Sequence, residues 1–468
     1  MGAMDLLLTH GYFLEEDAKE QAIMKPYVPL GILYLASYLR SRNLGVEVFD
    51  TTFASRNDLL EVLQSGKPAI LGVYANLMTR PSVVRILQAA KEAGWKTVVG
   101  GPEPASYIDE YLAAGADVVV IGEGEITLEE LVPILRSGLF HLLDRVNGIA
   151  FRGDDGGVHR TPPRAQIPNI DAQPWPSRES VDIERYLKTW RENHGTGSVS
   201  LITARGCPYE CQWCSHAVYG RTHRRRKPSS VVDELEWILH RYSPDMLWMA
   251  DDVFTIHHGW LSQYAAEMKR RGLRVPFECI SRADRLNPQA VELLSELGCF
   301  RIWIGSESGS QRILDAMRRG VSVEQVQLAV QLCKANGIAT GMFLMWGYEG
   351  EELTDIEATI DHVKRSAPDV FLTTIAYPIR GTPYFEKVAD RVTSLKAWAE
   401  GSDRDFRIRG RHSRRFYQSV NQLLRAEVEV QRKSGANAFE TPSELLALRQ
   451  QIESAREEMK DSFAEVEA

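Results

Sequence analysis

The chain has 468 residues, 44% of them hydrophobic and 25% charged, the balance of a soluble globular protein long enough for two or three cores. Its formal net charge of −8 argues against general affinity for nucleic acid, so no stable nucleic-acid partner is expected. The longest apolar runs, such as Asp117 to Ile121, are strand-length and far below the roughly 18–20 residues that cross a bilayer. Met1 to Leu8 contains no basic stretch followed by a long apolar segment, so no membrane span and a cytoplasmic location are expected.

The first 140 residues alternate short apolar runs with amphipathic stretches. Strands are expected at Asp5–Thr9, Val46–Asp50, Ala69–Tyr74, Thr97–Val99 and Asp117–Ile121, and Pro29 opens a helix running to Arg40. Helical patterns at Leu59–Leu63, Pro81–Ala93, Ala105–Ala114 and Ile126–Leu135 separate the later strands. This order describes a doubly wound, Rossmann-like α/β domain over residues 1–140, whose ligands sit beyond the carboxyl ends of its strands. Those ends carry Asn76-Leu77-Met78-Thr79, Gly100-Gly101-Pro102 and Gly122-Glu123-Gly124-Glu125, with glycines that let backbone approach a bulky ligand. No Gly-x-Gly-x-x-Gly turn follows the first strand, which disfavours a dinucleotide.

Residues 141–185 read as a linker with a hairpin, formed by Asn147–Arg152 and Val158–Thr161 and followed by a Pro-rich stretch to Pro176. A second βα series occupies 186–395, with strands at Ser198–Thr203, Met246–Ala250, Phe277–Ile280, Arg301–Ile304, Gly341–Met345 and Phe371–Tyr377. Six such units suit a (β/α)6 partial TIM barrel, with active-site residues on the loops after the strands. Residues 396–468 form a charged, helical carboxy-terminal region without strand signal, with exposed or interface helices at Arg425–Lys433 and Ser443–Lys460. The basic run Arg221–Lys227 reads first as a solvated loop, and otherwise as electrostatic help for an anionic cofactor or substrate.

Cysteine placement carries the chemistry. None of the six precedes Cys207, three fall within eight residues, and Cys279, Cys299 and Cys333 follow singly; Cys299 and Cys333 read as small buried hydrophobes. The segment Ala204-Arg205-Gly206-Cys207-Pro208-Tyr209-Glu210-Cys211-Gln212-Trp213-Cys214-Ser215-His216 directly follows an expected strand. Three thiolates at this spacing can bind three irons of a cubane and leave the fourth open. A zinc site completed by His216 is the competing metal reading.

The Cys-x3-Cys-x-aromatic-Cys loop resembles that of the radical S-adenosylmethionine (SAM) superfamily, and later strand ends agree in order. The resemblance implies a [4Fe-4S] cluster on Cys207, Cys211 and Cys214 and a SAM site near Trp213, Asp251, Asp252, Ser281, Arg282, Glu307 and Tyr377. After the fifth strand of this series the family's Gly-x-Pro-Gly-Glu is replaced by Gly347-Tyr348-Glu349-Gly350-Glu351.

With the domain ahead of it, residues 1 to about 395 resemble the cobalamin-binding class of that superfamily. This is the group of anaerobic magnesium-protoporphyrin ester cyclases and of methylases of tetrapyrroles, hopanoids and antibiotics. The resemblance implies cobalamin against Asn76, Leu77, Met78, Thr79, Gly100, Gly101, Pro102, Glu103, Gly122, Glu123 and Gly124. The Asp-x-His-x-x-Gly cobalamin motif is absent, and His10 at the end of the first strand lacks its context. The implied function is SAM cleavage to a 5′-deoxyadenosyl radical, hydrogen abstraction from a small-molecule substrate (a tetrapyrrole, lipid or natural-product intermediate) and methyl transfer from methylcobalamin. An external electron donor such as flavodoxin or ferredoxin is implied with it. Alternatives are a cyclase or oxidase outcome without methyl transfer, and a non-catalytic cobalamin- or SAM-binding module. An RNA methylthiotransferase is disfavoured, since it needs further cysteines before Cys207.

Overall fold

The structure is a computed structural model, and it describes residues 4–436 and 442–467. Two compact units emerge. The first comprises residues 1–208, 215–248 and 396–404, and the second 209–214, 249–395 and 405–468.

The first unit is built on strands β1 (Leu6–His10), β2 (Val46–Phe49), β3 (Ile70–Tyr74), β4 (Lys96–Gly100), β5 (Val118–Val120), β6 (Ile149–Arg152) and β7 (Val158–Arg160), in spatial order β2-β1-β3-β4-β5-β6-β7. The first five run parallel, and their alternate residues separate into two cores. Leu7, Leu71, Val73, Val99 and Val119 face one; Leu6, Leu8, Ile70, Val98, Val118 and Val120 face the other. Short apolar runs therefore make strands here because both faces are covered by helices. Those helices are α2 (Leu30–Ser41), α3 (Arg56–Ser65), α4 (Arg80–Glu92), α5 (Ile108–Ala113) and α6 (Glu125–Ser137), whereas the short α1 (Ala18–Ile23) buries no side chain. The expected hairpin forms, but as part of this sheet: β6 pairs antiparallel with β5 and β7 with β6. Buried Ile149, Ala150 and Phe151 explain why it docks instead of standing in a linker.

The same unit continues through α7 (Ile183–His194), β8 (Ser198–Leu201), β9 (Ala204–Arg205), β10 (Arg224–Arg225), α8 (Pro228–Tyr242) and β11 (Met246–Met249), whose last residue opens the second unit. It also takes in residues 396–404, where Asp403 accepts 2.6 Å bonds from buried Arg80 and from the Tyr107 hydroxyl.

The second unit carries β12 (Phe277–Ser281), β13 (Cys299–Glu307), β14 (Ala339–Trp346) and β15 (Val370–Ile375), each parallel to the next. Helices α9 (His258–Arg270), α10 (Pro288–Leu297), α11 (Gln311–Ala316), α12 (Val323–Ala335), α13 (Leu353–Ser366) and α14 (Pro383–Val388) alternate with them or follow. All six strands expected of the second series are therefore formed. Two short strands pair antiparallel, β16 (Val392–Ser394) at the end of the second series and β17 (Phe406–Ile408) within the region 396–468, where no strand was expected. Helices α15 (Arg414–Ala436) and α16 (Pro442–Ser462) end the chain. Phe416, Val420, Leu423, Leu424 and Val428 stripe α15 at helical spacing and pack with Ile356, Ile360 and Val363 of α13. Among the described residues no helix is long and apolar enough to cross a membrane.

Candidate active site

The cysteine loop leaves β9 at Gly206. There φ is +82°, and a Cβ would lie 2.4 Å from the Thr222 carbonyl oxygen, so only glycine fits where the chain passes its own return. The return strand β10 pairs antiparallel with β9 (Arg224 with Arg205, Arg225 with Ala204), closing the base of the loop.

A buried ionic clasp holds this base. Glu123 Oε1 accepts from Arg205 Nη1 at 2.8 Å, and Oε2 accepts from Arg224 Nη1 at 2.7 Å and from the Ile167 amide at 2.8 Å. Glu125 adds a second carboxylate on Arg205 at 2.7 Å. The basic run read as a solvated loop is thus largely internal. Arg224 is 12% exposed and bound to Glu123, and Arg226 joins Arg178 on fully buried Glu234. Guanidinium groups enter an interior where carboxylates already wait for them.

In the second unit, Tyr209–Cys214 rest on the segment after α11. The Gln212 amide donates to the Met317 carbonyl at 3.1 Å, and Gln212's carbonyl accepts from the Tyr384 amide at 2.9 Å. Arg282 stacks on the Tyr209 ring at 3.6 Å, while Arg285 Nε donates to the Tyr209 hydroxyl at 2.6 Å. Arg319, only 7% exposed, places Nη1 3.7 Å from Cys211 Sγ. Cys211 and Cys214 are free thiols in contact. The bond from Cys214 holds the Cys211 thiol down at about 6, and the Arg319 and Arg282 guanidinium charges act the same way. Cys214 is pushed up, first because it donates that bond and then by burial.

Glu307 ends β13 where the register with β14 slips between Gly305 and Glu307. Its φ is +63°, costly for a residue with a side chain and a mark of functional sites. Burial pushes its carboxyl up to about 7, even though Arg319 and Arg282 pull the other way.

Among the described residues, no three His, Cys, Asp or Glu side chains form a group that could hold a single metal ion.

The other expected SAM residues divide. Arg282 and Glu307 stand by the cysteines through the charge interactions above. Trp213 is half-buried and packs against the apolar cluster that contains Ile313, Met317, Met345 and Tyr384. Ser281 is buried and shares a 2.6 Å hydrogen bond with Thr255. Asp251 is buried, Asp252 exposed and Tyr377 half-buried. The substituted turn still closes: the Glu351 amide donates to the Tyr348 carbonyl at 3.0 Å, and Glu351 Oε2 accepts from the Gly347 amide at 2.6 Å.

In the first unit the strand ends present mainly backbone and small or apolar groups. Asn76, Leu77, Met78, Gly100, Gly101, Pro102, Gly122 and Gly124 keep accessible surface, whereas Thr79, Glu103 and Glu123 are buried. Asn76 Oδ1 accepts from the Met78 and Thr79 amides at 2.9 and 3.1 Å, fixing a tight turn that leaves Met78 half exposed. Gly101 has φ +119°, and a Cβ there would sit 2.3 Å from the Ala75 oxygen. Gly122, at φ +86°, meets nothing nearer than 3.8 Å. The Glu103 carboxylate is taken up by Arg80 and Tyr111. His10 is likewise committed, with Nε2 on Asp50 at 3.0 Å and Nδ1 on Thr51 at 2.9 Å. Glycine backbone is thus left accessible at these strand ends, with the Glu103 and Glu123 side chains turned inward.

The sequence reading missed Arg319 and the Glu123 clasp on Arg205 and Arg224. An arginine after a short helix, next to Arg318, carries no local signal, and Glu123 drew attention only as part of a glycine-rich turn.

The radical SAM superfamily profile matches residues 201–363, and the B12 binding domain profile residues 23–132. An uncharacterized methyltransferase of Pyrococcus horikoshii is 28% identical over 423 residues, covering 88% of this chain and 89% of its own length. The anaerobic magnesium-protoporphyrin IX monomethyl ester cyclase of Rubrivivax gelatinosus is 29% identical over 376 residues, 78% of this chain and 67% of the cyclase. The radical SAM methyltransferase TsrM of Kitasatospora setae, solved with tryptophan and a SAM analogue, shares the fold. It aligns with a TM-score of 0.70 at 19% identity, over 86% of this chain and 83% of TsrM.

Proposed function

Because this chain belongs to the radical SAM superfamily and carries a B12-binding domain ahead of its radical SAM domain, we propose that it transfers a methyl group to an unactivated carbon of a small molecule. Its cofactors are a [4Fe-4S] cluster, SAM and cobalamin. When bound, these supply one electron to the SAM sulfonium, a carbon radical that removes a substrate hydrogen, and a methyl group carried on cobalt.

The observation that carries the reading is the paired thiols of Cys211 and Cys214 beside the strained, buried Glu307. Cys207, Cys211 and Cys214 hold the cluster. Burial raises the Glu307 carboxyl, and a positively charged group arriving beside it would favour its carboxylate form. Arg282 and its stack on Tyr209 fix the loop's height, with Trp213, Asp251, Asp252, Ser281 and Tyr377 completing the SAM site. Cobalamin lies against Asn76, Leu77, Met78, Gly100, Gly101, Pro102, Gly122 and Gly124, while Thr79, Glu103 and Glu123 brace those turns from inside. Residues 1–140 are the cobalamin domain and 186–395 the radical domain. The electron comes from an external donor of flavodoxin or ferredoxin type.

The test is incubation of the anaerobically loaded full chain with SAM, reductant and a panel of tetrapyrrole and lipid substrates. Methyl transfer predicts both 5′-deoxyadenosine and S-adenosylhomocysteine. 5′-Deoxyadenosine alone favours the oxidative outcome that likeness to the cyclase raises. A loaded enzyme that forms neither product overturns the proposal.

A further inference from the structure

Arg319 holds its guanidinium against a cysteine of the loop by a direct contact, and its surroundings are built for that contact. The backbone on either side of it is left-handed, with φ +48° at Arg318 and +63° at Gly320, which turns the chain sharply after α11. Its Nη2 and Nε donate to the Gly305 carbonyl at 2.9 and 3.3 Å. A Cβ on Gly305 would lie 2.5 Å from Arg319 Nη2, so glycine is needed there for the guanidinium to lie flat against β13. Arg282 Nη2 donates to the Arg319 carbonyl at 2.8 Å, tying the arginine that stacks on Tyr209 to the one beside Cys211. What remains free to point at the loop is Nη1, 3.7 Å from Cys211 Sγ.

We propose that Arg319 is a positioning residue that sets the reduction potential of the cluster by donating an N–H to the Cys211 sulfur. The proposal rests on assigning the cluster to the cysteine loop. A hydrogen bond to a ligand sulfur, and a fixed positive charge beside it, stabilise the reduced cluster, which carries one more negative charge than the oxidised. The step concerned is a one-electron reduction in which no bond is made or broken; in the test the electron comes from dithionite. Arg319 also explains how a deeply buried cation is tolerated: Gly305, Glu307 and Cys211 share it, with Glu307 Oε1 3.8 Å from Nε.

The experiment is a potentiometric titration, followed by EPR, of the full chain reconstituted anaerobically with iron and sulfide. Wild type is compared with Arg319→Gln, Arg319→Lys and Gly305→Ala. Arg319→Gln is expected to lower the reduced-to-oxidised ratio at fixed potential about tenfold, which is about 59 mV for one electron. Arg319→Lys recovers part of this, and Gly305→Ala moves the same way by displacing the guanidinium. An unchanged midpoint in Arg319→Gln at unchanged iron content overturns the proposal. A variant that fails to load iron is bypassed by wild type grown on arginine carrying guanidino nitrogen-15: pulsed EPR of the reduced cluster must show coupling to that nitrogen, and its absence is equally fatal. Failure of wild type itself to bind a cluster defeats the functional reading instead and is recognised by iron content alone.

Discussion

Replacing Glu123 by alanine removes the acceptor shared by the two strands at the base of the cysteine loop. The carboxylate is 4% exposed and takes three donors between 2.7 and 2.8 Å. Deleting one partner of a buried ion pair costs about 3–5 kcal/mol, because the surviving charge stays out of water. Here Arg205 keeps Glu125 at 2.7 Å and Arg224 keeps the Ile167 carbonyl at 2.8 Å, which places the loss at the low end, about 3 kcal/mol. A chain of several cooperative parts has no single unfolding free energy, so the local opening of the β9–β10 ladder is the quantity to follow. Hydrogen exchange of a peptide spanning residues 203–226 is expected to accelerate roughly 150-fold in Glu123→Ala. Glu123→Gln, which keeps the shape and an acceptor oxygen, gives a smaller change. Iron uptake should fall in the same order. Unaltered exchange in Glu123→Ala would refute the clasp, and the solvated reading of the basic run would return.

Gly206→Ala must place a Cβ 2.4 Å from the Thr222 oxygen at φ +82°; it is expected to cut iron loading several-fold in a chain that is otherwise folded by circular dichroism. Glu351, with Oε1 buried and unpartnered, has its carboxyl pushed by burial to about 8. Its folded value lies above the unfolded one, so the native state holds a proton between about pH 4.5 and 8 that the unfolded chain has lost, and stability falls as pH rises through that window. Thermal unfolding of the metal-free chain at pH 6 and 8.5 should show this loss in wild type and less of it in Glu351→Gln; an identical pH slope in both contradicts the assignment. His362 acts oppositely. Burial lowers it to about 4, so its contribution is complete above pH 6.5 and is lost on acidification. His362→Gln should flatten the acid limb of the same curve.

Much of this architecture was legible because its determinants are local. Short apolar runs separated by helical patterns gave β1 to β5, and the cysteine spacing announced its own chemistry. What escaped was whatever depends on partners distant in sequence. Arg319 reaches Cys211 across 108 positions, Glu123 reaches Arg205 across 82, and Arg80 reaches Asp403 across 323. A carboxylate in a glycine-rich turn reads as a ligand contact until its arginines are seen, and a basic run reads as solvated until its acids are. The β6–β7 hairpin joined the first sheet instead of a linker because Ile149 and Phe151 needed a core, a preference its turn-rich sequence conceals.

The most direct measurement is iron and corrinoid content of the full chain after anaerobic reconstitution with iron, sulfide and cobalamin, set beside Cys211→Ala. The account predicts about four irons and one corrinoid per wild-type chain, with the iron lost and the corrinoid kept in the variant. Iron that persists in Cys211→Ala, or a wild-type chain that takes up a single zinc and no corrinoid, would contradict it.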